Sequence, residues 1–257
     1  MYIDIIDISH KYSTVDEDLL VLNDLSFSIE KEQFVSIVGP SGCGKSTLTK
    51  LIAGLSVPYK GKILISGSPV NSPRKSIGMA FQNPVLLEWR TTVDNICLPL
   101  EIVNPQMTRV QKIERATELL EMVGLKDFSQ SRPSQLSGGM KQRVSLCRSL
   151  VHRPKILILD EPFGALDAFT REGLWRTLKN LKTSENFTCI LITHDLREAI
   201  YLSDEVVILT DRPGRVKKRV KTNFQRYSNS IDELYSEEAA KMLALLRKQI
   251  ELSHTKL

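Results

Sequence analysis

A glycine-rich loop near the N-terminus joins an apolar stretch to a stretch of helical character. The loop is residues 39–47 (GPSGCGKST), the apolar stretch is residues 34–38, and the helical stretch is residues 45–55. The loop fits G-x-x-x-x-G-K-[ST] in the strand–loop–helix context that this pattern requires. Its glycines let backbone N–H groups curl around phosphates, its lysine adds a point charge, and its serine offers a hydroxyl to Mg²⁺. We expect a nucleotide cradle made of Gly39, Pro40, Ser41, Gly42, Cys43, Gly44, Lys45, Ser46 and Thr47.

Strand and helix patterns alternate along the rest of the chain, with one interruption. Residues 156–160, 188–193 and 205–210 predict buried strands separated by helical stretches. This alternation is typical of helices packed on a largely parallel sheet. Residues 83–154 are mostly helical, which predicts a helical subdomain inserted in an α/β core. An amphipathic helix at residues 233–252 follows the last strand, and we expect its apolar face to pack on the body of the protein.

Bulk composition places the chain among ordinary globular proteins. It has 257 residues, 42% hydrophobic and 25% charged, and its apolar runs are too short to span a bilayer. The N-terminus has no secretion-signal pattern, so we expect a cytosolic protein or one docked on the cytosolic face of a membrane. Cys43, Cys97, Cys147 and Cys189 show no C-x-x-C spacing, which indicates neither a zinc site nor a disulfide framework. Cys43 lies next but one to Lys45, so it is either a stabilised, reactive thiolate or a small filler residue.

The whole chain has a net charge of +5, and basic residues are concentrated near its C-terminal third. Such a cluster is compatible with a patch for nucleic acid or an anionic membrane. It is equally compatible with a solvated edge strand whose cations discourage aggregation, and we favour this second interpretation. The cluster comprises Arg212, Arg215, Lys217, Lys218, Arg219, Lys221 and Arg226.

Two carboxylates follow the apolar residues 156–159. An acidic turn after a strand would account for Asp160 and Glu161. In a chain that also holds a phosphate loop, they instead predict an aspartate on the metal side and a general base that polarises a water molecule against the γ-phosphate.

A second candidate for phosphate binding lies at residues 136–143 (LSGGMKQR). Ser137 is a favourable helix N-cap residue, and two glycines without side chains follow it before a helical run. Open N–H groups and the helix dipole at such a start attract an anion. Because the chain already has a complete cradle elsewhere, this second element suggests a site that closes only when two copies meet.

Taken in order, these motifs resemble the ATP-binding cassette (ABC) ATPase family over about residues 1–220. The resemblance adds Gln82 after residues 78–81, the segment 164–167 (GALD), and His194 within 193–195 (THD). One position departs from the commonest form of the family: Met140 stands where glutamine is usual.

The resemblance implies a role for each matching residue. Tyr12 stacks on adenine, Gln82 contacts Mg²⁺ and the attacking water, and His194 bonds the γ-phosphate. Ser137, Gly138 and Gly139 bind the γ-phosphate of the nucleotide that the opposite subunit holds, and Asp167 links the two sites. The implied cofactors are ATP and Mg²⁺. Glu161, His194 and Gln82 are then the catalytic residues, and the metal ligands are Ser46, Gln82 and Asp160.

The resemblance also implies the fold: an α/β, P-loop NTPase (RecA-like) core with an inserted helical subdomain and an antiparallel β edge near the N-terminus. We expect an ATPase domain at residues 1–220, divided into a core (1–82 and 155–220) and a helical subdomain (83–154). Residues 221–257 form a C-terminal helical extension.

Within the family, the segment 83–96 (NPVLLEWRTTVDNI) resembles importers of the nitrate/sulfonate/taurine class, although Glu88 replaces the usual proline. This resemblance implies an energy-coupling subunit of a bacterial importer at the cytoplasmic face of the membrane. Its partners would be integral-membrane permease subunits, a second copy or a paralogous cassette in a head-to-tail dimer, and indirectly a solute-binding protein, with no nucleic acid. The alternative is a soluble cassette ATPase acting on nucleic acid or ribosomes. It is disfavoured because the chain has one cassette and no sustained heptads.

Overall fold

The computed structural model describes residues 1–13, 17–222 and 231–254, without the side chains of residues 233 and 252–254. The chain forms two compact units, which we call the first unit (residues 1–74 and 188–257) and the second unit (residues 75–187). The predicted domain boundaries stay a prediction.

The first unit contains an antiparallel sheet near the N-terminus. Its strands are β1 (Ile3–Ser13), β2 (Asp18–Ile29), β4 (Lys60–Ile65) and β5 (Ser68–Pro69), in the order β2-β1-β4-β5. β1 and β2 pair antiparallel, with register shifts at Ile5/Ile8, Ile8/His10 and His10/Lys11. The predicted antiparallel edge is confirmed.

Four other strands of the first unit lie side by side and are mostly parallel. β3 (Phe34–Val38) lies between β8 (Thr188–Ile192) and β9 (Glu205–Leu209), and all three are parallel and buried along their length. Burial on both faces explains their uninterrupted apolar character. β10 (Val216–Lys221) pairs antiparallel with β9 at one edge.

The described part of the first unit also includes the helices α1 (Lys45–Ile52), α6 (Leu196–Leu202) and α7 (Glu237–His254), the last preceded by a 3₁₀ turn at Ile231–Tyr235. α7 packs against α6 and β9 and buries Ala239 and Leu246 completely. The apolar face of this helix therefore packs within the first unit, as the sequence predicts.

Most residues of the basic cluster lie on the edge strand β10 or in the loop just before it. Arg219 forms a bidentate ion pair with Glu205, at 2.8 Å and 2.7 Å, and Lys217 donates to the backbone carbonyl of Gln249 at 2.7 Å. Because these two cations already bind groups of the same chain, they favour the edge-strand interpretation. Arg226 lies outside the described residues.

The second unit contains two parallel strands and four long helices. β6 (Ile77–Ala80) pairs with β7 (Ile156–Asp160). The helices are α2 (Thr92–Val103), α3 (Arg109–Met122), α4 (Gly138–Leu150) and α5 (Ala168–Glu185). α3 begins with a capping box formed by Thr108 and Gln111, with hydrogen bonds of 3.3 Å and 2.9 Å.

α4 lies directly against β6. A Cβ atom on Gly78 of β6 would be 2.1 Å from the carbonyl oxygen of Ser149 on α4, so only glycine permits this close approach. The helix that begins at the second glycine motif is thereby fixed to the strand that leads to Gln82. Within the described part of the chain, no helix is both long and apolar enough to cross a membrane.

Candidate functional site

The predicted site residues are divided between the two units. The glycine-rich loop, Tyr12 and His194 belong to the first unit. The second unit contains Gln82, Ser137, Gly138, Gly139, Asp160, Glu161 and Asp167.

The glycine-rich loop has the backbone of a phosphate cradle. Gly42 and Gly44 have φ angles of +76° and +103°, which place both in the left-handed region that favours glycine. α1 begins at Lys45, directly after the buried strand β3 and the loop. The ammonium group of Lys45 donates to the carbonyl oxygens of Gly39, at 2.8 Å, and Pro40, at 2.7 Å. The cation therefore lies against the loop, where it can contact phosphate oxygens.

Tyr12 lies beside the start of α1. Its hydroxyl is 3.2 Å from the Thr47 hydroxyl, while 40% of the residue surface remains exposed. The ring of His10 meets it edge-on, with ring centroids 5.0 Å apart. An aromatic ring held at its edge and open on the outside is suited to stacking on a planar base.

The surroundings of Cys43 do not favour a reactive thiolate. Its side chain is fully buried, and this burial raises the pKa of the thiol, whereas the nearby Lys45 lowers it to a smaller extent. The hypothesis of a stabilised thiolate is therefore wrong, because desolvation outweighs the neighbouring charge. The filler interpretation of this cysteine stands.

His194 follows β8 at the start of the turn into α6, and its side chain is exposed. The turn is held by Thr193, whose hydroxyl donates to the buried carboxylate of Glu198 and accepts the backbone N–H of Asp195 at 2.9 Å. An exposed imidazole on a turn held at both sides can present a nitrogen to a ligand.

In the second unit, β7 delivers two carboxylates at its C-terminal end. Asp160 is 6% exposed. Glu161 has a φ of +47°, a left-handed conformation that costs a non-glycine residue about 1–3 kcal/mol and tends to occur at functional sites. The amide nitrogen Nε2 of Gln82 donates to Oε2 of Glu161 at 3.0 Å. The structure thus brings the predicted base and the predicted sensor glutamine into direct contact.

The sequence interpretation missed Gln142 as a site residue. It is 6% exposed, and its Nε2 donates to the backbone carbonyl of Gln82 at 2.6 Å. α4 thereby holds the position of Gln82, which in turn contacts Glu161. The only available signal was a polar residue on the buried face of α4, two positions after Met140.

Ser137 and Asp167 both cap helices. The Ser137 hydroxyl accepts the backbone N–H of Met140 at 3.2 Å at the start of α4. The Asp167 carboxylate accepts the backbone N–H of Thr170 at 3.0 Å at the start of α5. Hydrogen bonds from Thr170 lower the pKa of the Asp167 carboxyl.

Gly138 and Gly139, the two glycines after Ser137, differ in their surroundings. A Cβ atom on Gly139 would lie 2.9 Å from the side chain of Leu166, so packing within the chain accounts for that glycine. A Cβ atom on Gly138 would meet nothing within 4 Å, and its backbone does not require glycine. The open space beside Gly138 is therefore available to something outside the chain.

The residues expected to hold Mg²⁺ carry the appropriate donors. Ser46, Asp160 and Gln82 offer a hydroxyl, a carboxylate and an amide oxygen, which are hard oxygen ligands of the kind that Mg²⁺ prefers. No group of three His, Cys, Asp or Glu side chains suited to a metal occurs among the described residues. This is compatible with Mg²⁺, which typically takes one or two protein ligands together with water and substrate phosphates.

A buried parallel strand that enters a glycine-rich loop, a lysine directed at that loop, and a strand ending in Asp-Glu define a P-loop nucleotide hydrolase. The sequence matches the family described as ABC transporter over residues 22–164. The chain belongs to the ABC transporter family, as one of its ATP-binding subunits.

Relatives cover most of the chain. An aliphatic sulfonates import ATP-binding protein of Bacillus cereus is 40% identical over 243 residues, 95% of this chain and 95% of the relative. A nitrate import ATP-binding protein of Synechococcus elongatus is 42% identical and covers 76% of this chain and 71% of the relative. A bicarbonate transport ATP-binding protein of the same organism is 40% identical, with coverages of 81% and 75%.

Solved cassettes have the same fold. A dimeric ATP-binding cassette in a post-hydrolysis state bound to ADP and Pi has a TM-score of 0.80 and 32% identity, and the match covers 85% of this chain and 98% of that chain. The dimeric structure of a bacterial ABC transporter cassette matches equally well, with 33% identity. The predicted fold class is therefore confirmed.

The chain is an ABC-type ATPase and the energy-coupling subunit of an ABC importer. ATP is its cofactor, with Mg²⁺ as the general partner ion of such ATPases. A subunit of this kind associates with the membrane, works with membrane permease partners and dimerises.

Proposed function

We propose that two cassettes form a head-to-tail dimer that closes on two ATP molecules and drives import of a small oxyanion. The observation that carries the dimer is the open start of α4. Among the residues that the structure describes, nothing lies within 4 Å of a Cβ atom built on Gly138, although the chain holds a separate phosphate loop. A phosphate bound by the partner copy would occupy that space.

The proposed chemistry assigns one task to each residue. In the first unit, the loop and Lys45 bind the phosphates, Tyr12 stacks on the base, and His194 donates to the γ-phosphate. In the second unit, Glu161 accepts a proton from the attacking water. Bound Mg²⁺, held by Ser46, Asp160 and Gln82, would neutralise negative charge on the phosphates.

The contact between Gln82 and Glu161 supports the assignment of the base. A general base must be held in position, and a hydrogen bond from a neighbouring side chain restricts the orientation of a carboxylate. Gln82 also connects this base to α4 through Gln142. We propose that Asp167, which caps α5, links the two nucleotide sites of the dimer.

Gln142→Leu is expected to reduce kcat for ATP hydrolysis about tenfold while the Kd for ATP remains within about twofold, because Gln142 orients Gln82 and does not bind nucleotide in this scheme. Steady-state phosphate release and nucleotide titration measure the two quantities. Gln130→Leu, the same change at an exposed position of the second unit, should alter neither. A parallel loss of affinity and kcat would contradict the positioning role of Gln142.

The segment 83–96 presents an apolar surface suited to a membrane subunit. Trp89 and Val85 are 73% and 61% exposed, and large exposed aromatic side chains are the usual anchors of protein interfaces. Arg90 in the same segment is less suited to this role, because it already forms a bidentate pair with Glu101 at 2.7 Å and 3.1 Å. We propose that the permease docks on Trp89.

Trp89→Ala is expected to reduce solute uptake by the reconstituted transporter about tenfold or more, while the basal ATPase rate of the isolated subunit stays unchanged. The reason is that Trp89 contacts the permease and not the nucleotide. Tyr235→Ala removes an aromatic side chain that is 68% exposed in the first unit and should spare uptake. Equal losses of uptake and basal ATPase activity would exclude a coupling role.

The proposed solute is a small oxyanion. The relatives named above are import or transport proteins for aliphatic sulfonates, nitrate and bicarbonate, and taurine is an aminosulfonate of the same chemical class. The test is a solute panel in vesicles that contain the permease and the solute-binding protein. An anion that stimulates ATPase activity identifies the solute, and stimulation by neutral sugars alone would refute this class.

The subunit would lie peripherally at the cytoplasmic face, without nucleic-acid partners.

A further inference from the structure

The loop between β9 and β10, residues 210–215, contacts two of the nucleotide-binding elements of the first unit. Its backbone is closed by hydrogen bonds from Thr210 N to Arg215 O and from Arg215 N to the Thr210 hydroxyl, both 2.9 Å. Gly214, near the end of this loop, is buried. These hydrogen bonds hold the loop in a defined conformation against the elements that pack on it.

Gly214 is hydrogen-bonded to the strand that pairs with the Tyr12 strand. Its N–H donates to Val21 O at 2.8 Å, and its carbonyl accepts the N–H of Asn23 at 3.1 Å. Between these residues, Leu22 of β2 pairs with His10 of β1, whose ring meets Tyr12. The loop is therefore joined directly to the hairpin that carries Tyr12.

Gly214 also touches the phosphate loop. A Cβ atom on Gly214 would lie 2.2 Å from the carbonyl oxygen of Cys43. The fully buried Leu22 fills the adjoining space. Its Cδ2 atom would lie 2.5 Å from a Cβ atom on Gly44 and 3.3 Å from a Cβ atom on Gly214. Hairpin, loop and phosphate cradle thus meet at Gly214 without room for one more carbon.

We propose that Gly214 is a positioning residue that sets the spacing between the Tyr12 hairpin and the phosphate loop, and hence between the base and the phosphates of a bound nucleotide. This proposal rests on the base-stacking role proposed for Tyr12. Gly214 has no positive φ, so its need for glycine comes from contact and not from backbone conformation. The Cβ atom of alanine would be about 1 Å closer to the Cys43 carbonyl oxygen than an ordinary van der Waals contact allows. The hairpin and the phosphate loop would therefore have to move apart by roughly that distance.

The test compares two ligands of the intact chain, ATP and inorganic tripolyphosphate, by calorimetric titration in the presence of Mg²⁺. Gly214→Ala is expected to weaken ATP about tenfold or more, because a displacement of about 1 Å disrupts simultaneous contact at both ends of the nucleotide. Tripolyphosphate needs only the phosphate loop, so its Kd should change less than about threefold. Gly173→Ala, at a helical position where a Cβ meets nothing, is the control and should change neither Kd.

Equal losses for both ligands would overturn the proposal, since they would mean that the phosphate loop itself is distorted, and unchanged ATP binding would overturn it as well. Leu22→Val, which removes the Cδ atoms between Gly44 and Gly214, tests the same spacing without a wedge. It should weaken ATP more than tripolyphosphate even if Gly214→Ala does not fold. Tyr12→Ala tests the base contact separately. If it leaves ATP affinity unchanged, stacking by Tyr12 is refuted whatever Gly214→Ala does.

Discussion

Glu161→Gln is expected to lower the rate of ATP hydrolysis about 10²- to 10⁴-fold, the usual contribution of a general base, while ATP still binds. Glutamine has nearly the same shape as glutamate but cannot accept a proton from water. The side chain can also still accept the hydrogen bond from Gln82, which spans 3.0 Å in the parent. The variant should therefore keep its fold and accumulate as an ATP-bound dimer.

Phosphate release and size-exclusion chromatography with MgATP would measure these two effects. Glu121→Gln is a matched control, because Glu121 forms only a surface ion pair with Lys126, at 3.0 Å with both side chains more than half exposed. Such pairs contribute little to stability, so this variant should hydrolyse ATP at the parent rate. Hydrolysis at the parent rate by Glu161→Gln would remove Glu161 as the base.

Ser137→Arg is expected to abolish dimer closure and hydrolysis while the monomer binds ATP with an affinity within about twofold of the parent, because the phosphate loop is a separate element. The bulky guanidinium would fill the space proposed for the partner's γ-phosphate. Loss of the hydrogen bond to Met140, 3.2 Å long, should cost about 1 kcal/mol of stability. Thermal melting measures that cost independently of activity.

Two further variants separate the cap from the interface. Ser137→Thr keeps a hydroxyl cap and should retain dimer closure. Gly138→Ala adds a methyl group with no described residue within 4 Å, so a loss of closure in this variant would point to the partner copy. If Ser137→Arg instead removed ATP binding by the monomer, the two-copy site would be refuted.

Local patterns were sufficient for the secondary structure around the site. The strand–loop–helix order at residues 34–52, the buried strand that ends at Asp160, and the helix start at Ser137 all appear where the sequence places them. Each depends on contacts within a few residues, such as capping bonds, glycine conformations and continuous apolar runs. Such signals can be read without knowledge of the tertiary fold.

The reactivity of Cys43 could not be predicted in this way. Its neighbours in sequence, the N–H-rich loop and Lys45, favour a thiolate, whereas packing buries the side chain completely and raises its pKa. The pairing of Arg90 is a similar case, since Glu101 lies on the following helix and binds its guanidinium. Both cases depend on burial or on a partner that is not adjacent in sequence.

The sequence by itself determined the class of chemistry, because the order of phosphate loop, signature and Asp-Glu strand depends on residue types at short spacings. Only the tertiary structure decided how those residues are held. Gln142 bonds to Gln82 from 60 positions away and Gln82 to Glu161 from 79 positions away. Gly214 lies against the carbonyl of Cys43, although the two residues stand in the two separate stretches of sequence that form the first unit. These contacts depend on how helices, strands and loops pack, and no local pattern of residues encodes a distance between segments so far apart in the chain.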